Sequence, residues 1–394
     1  MQPDFRDMHL TVIAVFASVL LTACSGTTIK TTTLTPLQQQ TTPVEESQLL
    51  DVGVIPFDPG LDNIDEDDST TLPEIRNAES SFFANQLTDT IQNSAAWGAV
   101  RVVPGKQTVM DVYVQGTILR SDGETLELEI TATDTSGKEW FKKKYEEQTG
   151  KYAYERHRDI KRDPFQGLFN RIANDLLAHR NRFSATELEL LRTISSLRFA
   201  RAFSPDAFSD HMTEDKKGIL KVQRLPAQND PILRRIERIR ERDYLFVDTL
   251  QEHYDAFSRR MTKPYQEWRA ASYEEVLAIE ELKRQSRNRT IAGVAAVLAG
   301  VAAAGGGDRS TRAAGAVAVG AGGLLIKSGL NKKAEVQLHV ESLIELGQSL
   351  ETEIEPRVIE LEDRTITLTG NVEAQYEQWK QILSEIYQTE HGGS

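Results

Sequence analysis

Cysteine is almost missing from this chain. One occurs in 394 residues, at position 24, which excludes an internal disulfide and any multi-cysteine metal site. Histidine is sparse too, seven in all and scattered, and no pair has the spacing of a zinc-binding helix. No glycine-flanked serine nucleophile, no phosphate loop ending in Gly-Lys-Ser/Thr and no dinucleotide glycine fingerprint occurs. Carboxylates are abundant, but no pair stands out, so no catalytic residue, metal or cofactor is assigned. Positive charge is in deficit: 46 Lys and Arg face 59 Asp and Glu, a net charge of -13. Such a field repels phosphates, and nucleic acid is not an expected partner. The deficit is uneven. Residues 151–290 sum to about +6, which suits solvated helix faces or a surface near anionic lipid or a polyanionic envelope polymer. What is present is an ordinary charged fraction and 39% hydrophobic residues, enough for a folded chain of two or three domains.

The amino-terminal residues carry the most specific signal. Leu10–Leu21 is an uncharged apolar run, too short for a comfortable membrane span and about right for an export signal. It ends in Leu21-Thr22-Ala23-Cys24, followed by Ser25 and Gly26. This resembles the bacterial lipobox, in which the cysteine thiol receives diacylglycerol and small neighbours admit a signal peptidase. The resemblance implies a signal peptide over 1–23, a mature chain beginning at Cys24, and membrane lipid as a partner through that residue. Ser25 stands where an inner-membrane retention signal places aspartate, so the implied address is the outer membrane, facing the periplasm. Asp4 and Asp7 are unusual in an export signal, and a start at Met8 would remove both. Residues 24–47 are rich in Thr, Gln and Pro and are expected to form a flexible tether.

Residues 48–150 have the alternation of an α/β domain and are expected to be a separable folding unit. Asp51–Phe57 has strand character, Asp62–Thr71 is an acidic loop, and Pro73–Gln92 an amphipathic helix with Ile75, Ala78, Phe82, Leu87 and Ile91 on one face. The loop lacks the glycine and closing glutamate of a calcium site. Strands follow at Ala99–Val103 and Asp111–Leu119. In the next strand, Leu126, Leu128, Ile130 and Ala132 alternate with Glu127, Glu129, Thr131 and Thr133, and Glu139–Glu146 is the last. With VGVIPF at 52–57, DVYVQGTI at 111–118 and TDTSGKEW at 133–140, this segment resembles a family of envelope α/β domains. Among them are the amino-terminal domain of the Tol-system translocation protein, the curli secretion channel lipoprotein, and lipoproteins of flagellar and exopolysaccharide systems. Asp134 and Gly137 sit where that family places a hairpin turn. The resemblance implies a binding and assembly module, often one that forms rings.

Residues 163–290 read as helical. Phe165, Leu168, Phe169, Ile172, Leu176 and Leu177 form one stripe, and Ser184-Ala185-Thr186-Glu187 is a capping box ahead of a second helix. From Asp230-Pro231, Ile232, Ile236, Ile239, Asp243, Phe246, Leu250, His253 and Phe257 follow a heptad, coiled-coil-like seam with two polar members. Pro264 is expected to break the run, with a helix from Tyr265 to about Asn288 folding back over the seam. Asp243 and His253 suit either a pocket or satisfied partners at a bundle edge.

Two small-residue runs follow, Ile291–Ala304 and Ala313–Ile326, joined by Gly305–Arg312. Ala292, Ala296, Gly300 and Ala304 recur every fourth residue, as do Ala316 and Gly320. Such ridges let helix backbones approach closely, and the pair resembles the glycine-zipper hairpins of outer-membrane lipoproteins. Each run spans only about 21 Å as helix, short of a bilayer core. The hairpin over 291–326 therefore either dips into lipid, packs between copies of a homo-oligomer, or stays flexible. Residues 333–390 read as a helix-hairpin-helix module. The expected class is α+β: the α/β domain, a helical middle, the Gly/Ala hairpin and the carboxy-terminal module. The expected role is a lipid-anchored structural or assembly protein of the cell envelope, in a secretion or surface-polymer export complex with envelope protein partners, and not an enzyme. The alternative is a periplasmic enzyme acting on a cell-wall or capsule polymer. The zipper reading is tested at Gly300. Gly300→Leu should hold two backbones apart and lower the cross-linked oligomer yield in detergent. Gly300→Ala should leave it unchanged, since the helix itself gains only about 1 kcal/mol. Equal yields from both variants would remove the packing face.

Overall fold

The computed structural model describes residues 34–63, 72–154, 163–227, 229–303, 341–349, 357–360 and 365–392. The class is α+β, a five-stranded mixed sheet with long helices. Strands β1 (Val52–Val54), β2 (Val100–Val102), β3 (Val112–Ser121), β4 (Thr125–Asp134) and β5 (Glu139–Gln148) lie in the order β2-β1-β3-β4-β5. Strand β1, second from one edge, pairs in parallel with both β2 and β3, and β3, β4 and β5 form an antiparallel meander. Helix α1 (Pro73–Gln92) makes the parallel crossover, with Pro73 in its first turn, where a missing N–H costs nothing. In β4 the leucine-isoleucine face is fully buried, and Glu127, Glu129, Thr131 and Thr133 line the wetter one. The turn into β5 is organised by Asp134, whose carboxylate accepts from the amides of Ser136 and Lys138 and from Trp140 Nε1. Gly137 takes φ +94° there, a conformation that disfavours any side chain.

Helices α2 (Gln166–Arg180) and α3 (Ala185–Phe203) follow, and the capping box of Ser184 and Glu187 closes the start of α3. A short hairpin, β6 (Met212–Glu214) and β7 (Leu220–Val222), leads to helix α4 (Pro231–Ala303). Residues 341–349 are helical (α5). The antiparallel pair β8 (Arg357–Glu360) and β9 (Thr365–Leu368) precedes helix α6 (Val372–Gly392). Helix α1 is sandwiched, with the sheet on one side and α4 on the other.

Several expectations need correction. Helix α4 does not break at Pro264: it runs 73 residues with the proline inside, about 110 Å of helix. An interior proline loses one hydrogen bond and crowds a carbonyl, at about 3 kcal/mol. Here Phe257 and Met261 before it, and Tyr265, Trp268 and Arg269 after it, are all buried, so packing on both sides keeps the helix continuous through the proline. The seam is accordingly not covered by a helix folding back from Pro264. It lies against α1, α3 and α6, with Phe246 stacked on Trp379 at 5.0 Å. Nor does the helical region end at 290, because α4 passes unbroken into the small-residue run as far as Ala303.

The tether reading of 24–47 also fails from Leu34 onward. Asn170 and Asn174, one turn apart on α2, donate to the carbonyls of Thr35 and Pro36, and Asn174 accepts from the Gln38 amide. Arg192 donates to the Glu46 carbonyl, and Leu37 packs on the core. This segment is a strap bound to α2 and α3. The core, finally, does not divide at 150: one hydrophobic cluster reaches from Leu50 to Tyr387. Residues 48–150 expressed alone would therefore expose Phe82, Phe83 and Trp140, and urea unfolding followed by circular dichroism should be broad and non-cooperative. A sharp two-state transition would show that the sheet and α1 suffice as a core.

Candidate functional site

The most unusual chemistry in the fold is a line of buried charged groups along α4. The first station begins with Glu79, which falls one helical turn after Ile75 on the inward face of α1 and has no exposure at all. Its Oε1 accepts from Ser121 Oγ at 2.6 Å and from Tyr265 OH at 2.5 Å, so one carboxylate oxygen joins α1, β3 and α4. Arg76 lies 3.7 Å from Oε2. Burial raises the Glu79 pKa, opposed by Arg76, Ser121, Tyr265 and Arg269. Arg269 follows Tyr265 by one turn on α4 and is also fully buried. Its guanidinium donates to Asp163 Oδ2 at 2.7 Å. It lies over the rings of Tyr265, Phe165 and Phe83, at 4.2, 4.7 and 5.6 Å from their centroids. Burial works against its charge, but Asp163 and Tyr265 outweigh that and leave its pKa above the ordinary value. Asp163 Oδ1 in turn accepts from the Phe165 amide beside the start of α2. Charges on α1, on α4 and at Asp163 just before α2 thus neutralise one another out of water.

The tip of the β3–β4 hairpin is pressed onto the same stretch of α4. A Cβ on Gly123 would come within 2.2 Å of the Arg269 carbonyl, so only glycine permits the approach. The Gly123 amide donates to Ser272 Oγ, and its carbonyl accepts from Tyr154 OH.

About four to five turns before Tyr265, edge strand β2 meets the helix. The Val102 amide donates to Gln251 Oε1 at 2.6 Å, and Arg101 pairs with Asp248. Helix side chains thereby occupy polar groups that would otherwise invite a foreign strand. Farther up, Arg240 donates to Ser195 on α3. Burial disfavours its charge, and Tyr244, Asp111 and Asp51 more than restore it. Asp111 is buried with its carboxyl pKa raised by burial and by Asp51. Asp243 is 3% exposed in the seam and faces Tyr376 of α6. His253 lies ten residues on, about 15 Å along the axis, so the two do not converge.

The described residues also enclose a cleft of about 210 Å³ between α1, α4, Gly347 and the amino end of α6. Asn77, Ser81, Tyr254 and Glu373 are among its polar lining. Among the described residues no three His, Cys, Asp or Glu side chains converge as metal ligands do.

No family model, curated protein or solved structure matches this chain.

Cys24, Ala304, Ala316 and Gly320 lie outside the described residues, as do the loop at 64–71 and the second small-residue run. Ala292, Ala296 and Gly300 lie on the last turns of α4. The buried stations were not singled out by sequence reading, although a signal existed. Glu79 and Arg269 each occupy an apolar-stripe position, one turn from Ile75 and Tyr265. Removing the central cation tests the fastening. Arg269→Ala leaves Asp163 and Glu79 buried without it and should cost about 3–5 kcal/mol in urea denaturation. A loss under about 1 kcal/mol would mean the pair fastens nothing.

Proposed function

We propose that this chain is a lipid-anchored structural or assembly protein of the bacterial cell envelope, held to the outer membrane by Cys24 and facing the periplasm. The observation that carries the assembly reading is the continuity of α4. The helix that is locked onto the sheet domain by buried charges runs without interruption into the ridge of Ala292, Ala296 and Gly300. A helix is stiff along its axis, so whatever engages the ridge is mechanically joined to the sheet domain. In this reading the ridge continues through the rest of the 291–326 hairpin and packs against lipid or against copies of the same chain. Among the described residues no helix is long and apolar enough to cross a membrane, which suits contact with a surface or with another copy.

The lipobox-like sequence Leu21–Cys24 supports the anchor. The resemblance of residues 52–57, 111–118 and 133–140 to envelope assembly domains supports a homo-oligomer with envelope protein partners. The strap over 34–48, bound to α2 and α3, leaves only residues 25–33 between lipid and folded chain. At no more than about 3.5 Å per residue, that segment keeps the sheet domain within about 30 Å of the membrane surface. The test is Cys24→Ser in a host that lipidates such proteins. The variant should lose label from a fatty-acid analogue and move to the soluble periplasmic fraction. Label retained on the variant would remove the anchor.

A further inference from the structure

We propose that the carboxy-terminal helix α6 is a proton-gated clasp, closing on α4 over the buried and poorly satisfied carboxyl of Asp243 and holding more tightly when that carboxyl is protonated. Asp243 sits between Ile239 and Phe246 in the apolar seam. Its Oδ2 receives one hydrogen bond, from Tyr376 OH at 3.4 Å, at the long end of the useful range. Its Oδ1 is buried with no hydrogen-bond partner among the described residues, and neither has the nearby Trp379 Nε1. Phe246, Tyr376 and Trp379 shut the site from water by ring stacking.

The charged and titratable groups around it give an ionised carboxylate little help. On α4, Arg240 is committed to Ser195 and to the Asp111 and Asp51 side of the seam. On α6, Lys380 is paired with Glu377 at 3.6 Å, and Tyr376 supplies the single long bond. From the sheet side, Tyr113 and Thr108 face Tyr376 and not the carboxylate. Burial therefore pushes the Asp243 pKa up to about 6, against the weaker opposing pull of Tyr376, Arg240, Lys380 and Trp379.

The sign follows from linkage. Docked, the carboxyl holds its proton to about pH 6; released into water, it holds it only to the ordinary value of 3.8. The docked state binds the proton more tightly, so docking strengthens as pH falls below about 7 and is flat above that. Between pH 7 and pH 5 the closed-to-open ratio should rise about tenfold. Val372 and Glu373 of the same helix, with Asn371 just before it, wall the cleft, so opening the clasp also unmakes it. None of this depends on the membrane reading.

Hydrogen exchange of the full chain tests the clasp. Once corrected for the intrinsic pH dependence of exchange, the amides of 376–387 should be about tenfold better protected at pH 5 than at pH 7. Asp243→Asn should abolish the difference and hold the pH 5 level at both values. Tyr376→Phe removes the one bond to the ionised form, should move the transition to higher pH, and decides the matter if the asparagine variant does not fold. Equal protection of the wild-type helix at both pH values, or an unchanged pH dependence in Asp243→Asn, would overturn the proposal. So would a transition that moves to lower pH in Tyr376→Phe.

Discussion

The guanidinium of Arg269 is the constraint on which the rest of the structure leans. A fully buried cation is costly unless its charge is answered on the spot, and here the answer comes from three directions. Asp163 pairs with it from beside the amino end of α2, the rings of Phe83 on α1 and of Phe165 at the cap of α2 press on it, and Tyr265 stacks from its own helix while bonding Glu79. These contacts can be made only in one register of α4 against α1. A slide of one turn would part Arg269 from Asp163 and take the Tyr265 hydroxyl from Glu79. The ion pair thus specifies where the long helix sits more than it adds to net stability, a role that buried pairs fill in some proteins.

From that register the other unusual features follow. With Tyr265, Trp268 and Arg269 held on one side of Pro264 and Phe257 and Met261 on the other, the proline does not end the helix. The same helix brings Gln251 and Asp248 over β2 and closes that edge of the sheet. It also presents Phe246 and Leu250 to α6 and carries the backbone on to Ala303. The two buried carboxyls that matter most respond to different surroundings. Glu79 is met by two hydroxyl donors and nearby arginines, so it fastens. Asp243 is met by one long bond, so it is the weaker joint.

Much of the sheet domain could be read in advance, because its physics is local. Alternation of Leu126, Leu128, Ile130 and Ala132 with polar residues decides which face of β4 is buried whatever lies above it. Ser184 and Glu187 cap α3 through atoms three residues apart. Asp134 folds its own turn. The helix of Pro73–Gln92 has its boundary set by a proline and its face by Ile75, Phe82 and Ile91. Where sequence reading went astray, a distant partner overruled a local rule. Pro264 is a helix breaker by its own chemistry, yet contacts with α1 keep the helix whole. The Thr- and Gln-rich stretch before Ser47 has nothing to build a core with, yet Asn170 and Asn174 supply bonds for its backbone.

By itself the sequence determined the order of small residues around Cys24, the periodicities that make β4 a half-buried strand and α1 an amphipathic helix, and the small-residue spacing through Gly300. Each depends on residues within a turn or two of one another. Only the tertiary structure decided that Glu79, Arg269 and Asp163 meet, that the seam of Asp243 and Phe246 belongs to α6, and that one core runs from Leu50 to Tyr387. The physical reason is that burying a charge is settled by groups far away in the chain. Glu79 and Tyr265 are 186 residues apart, and no local pattern records that separation.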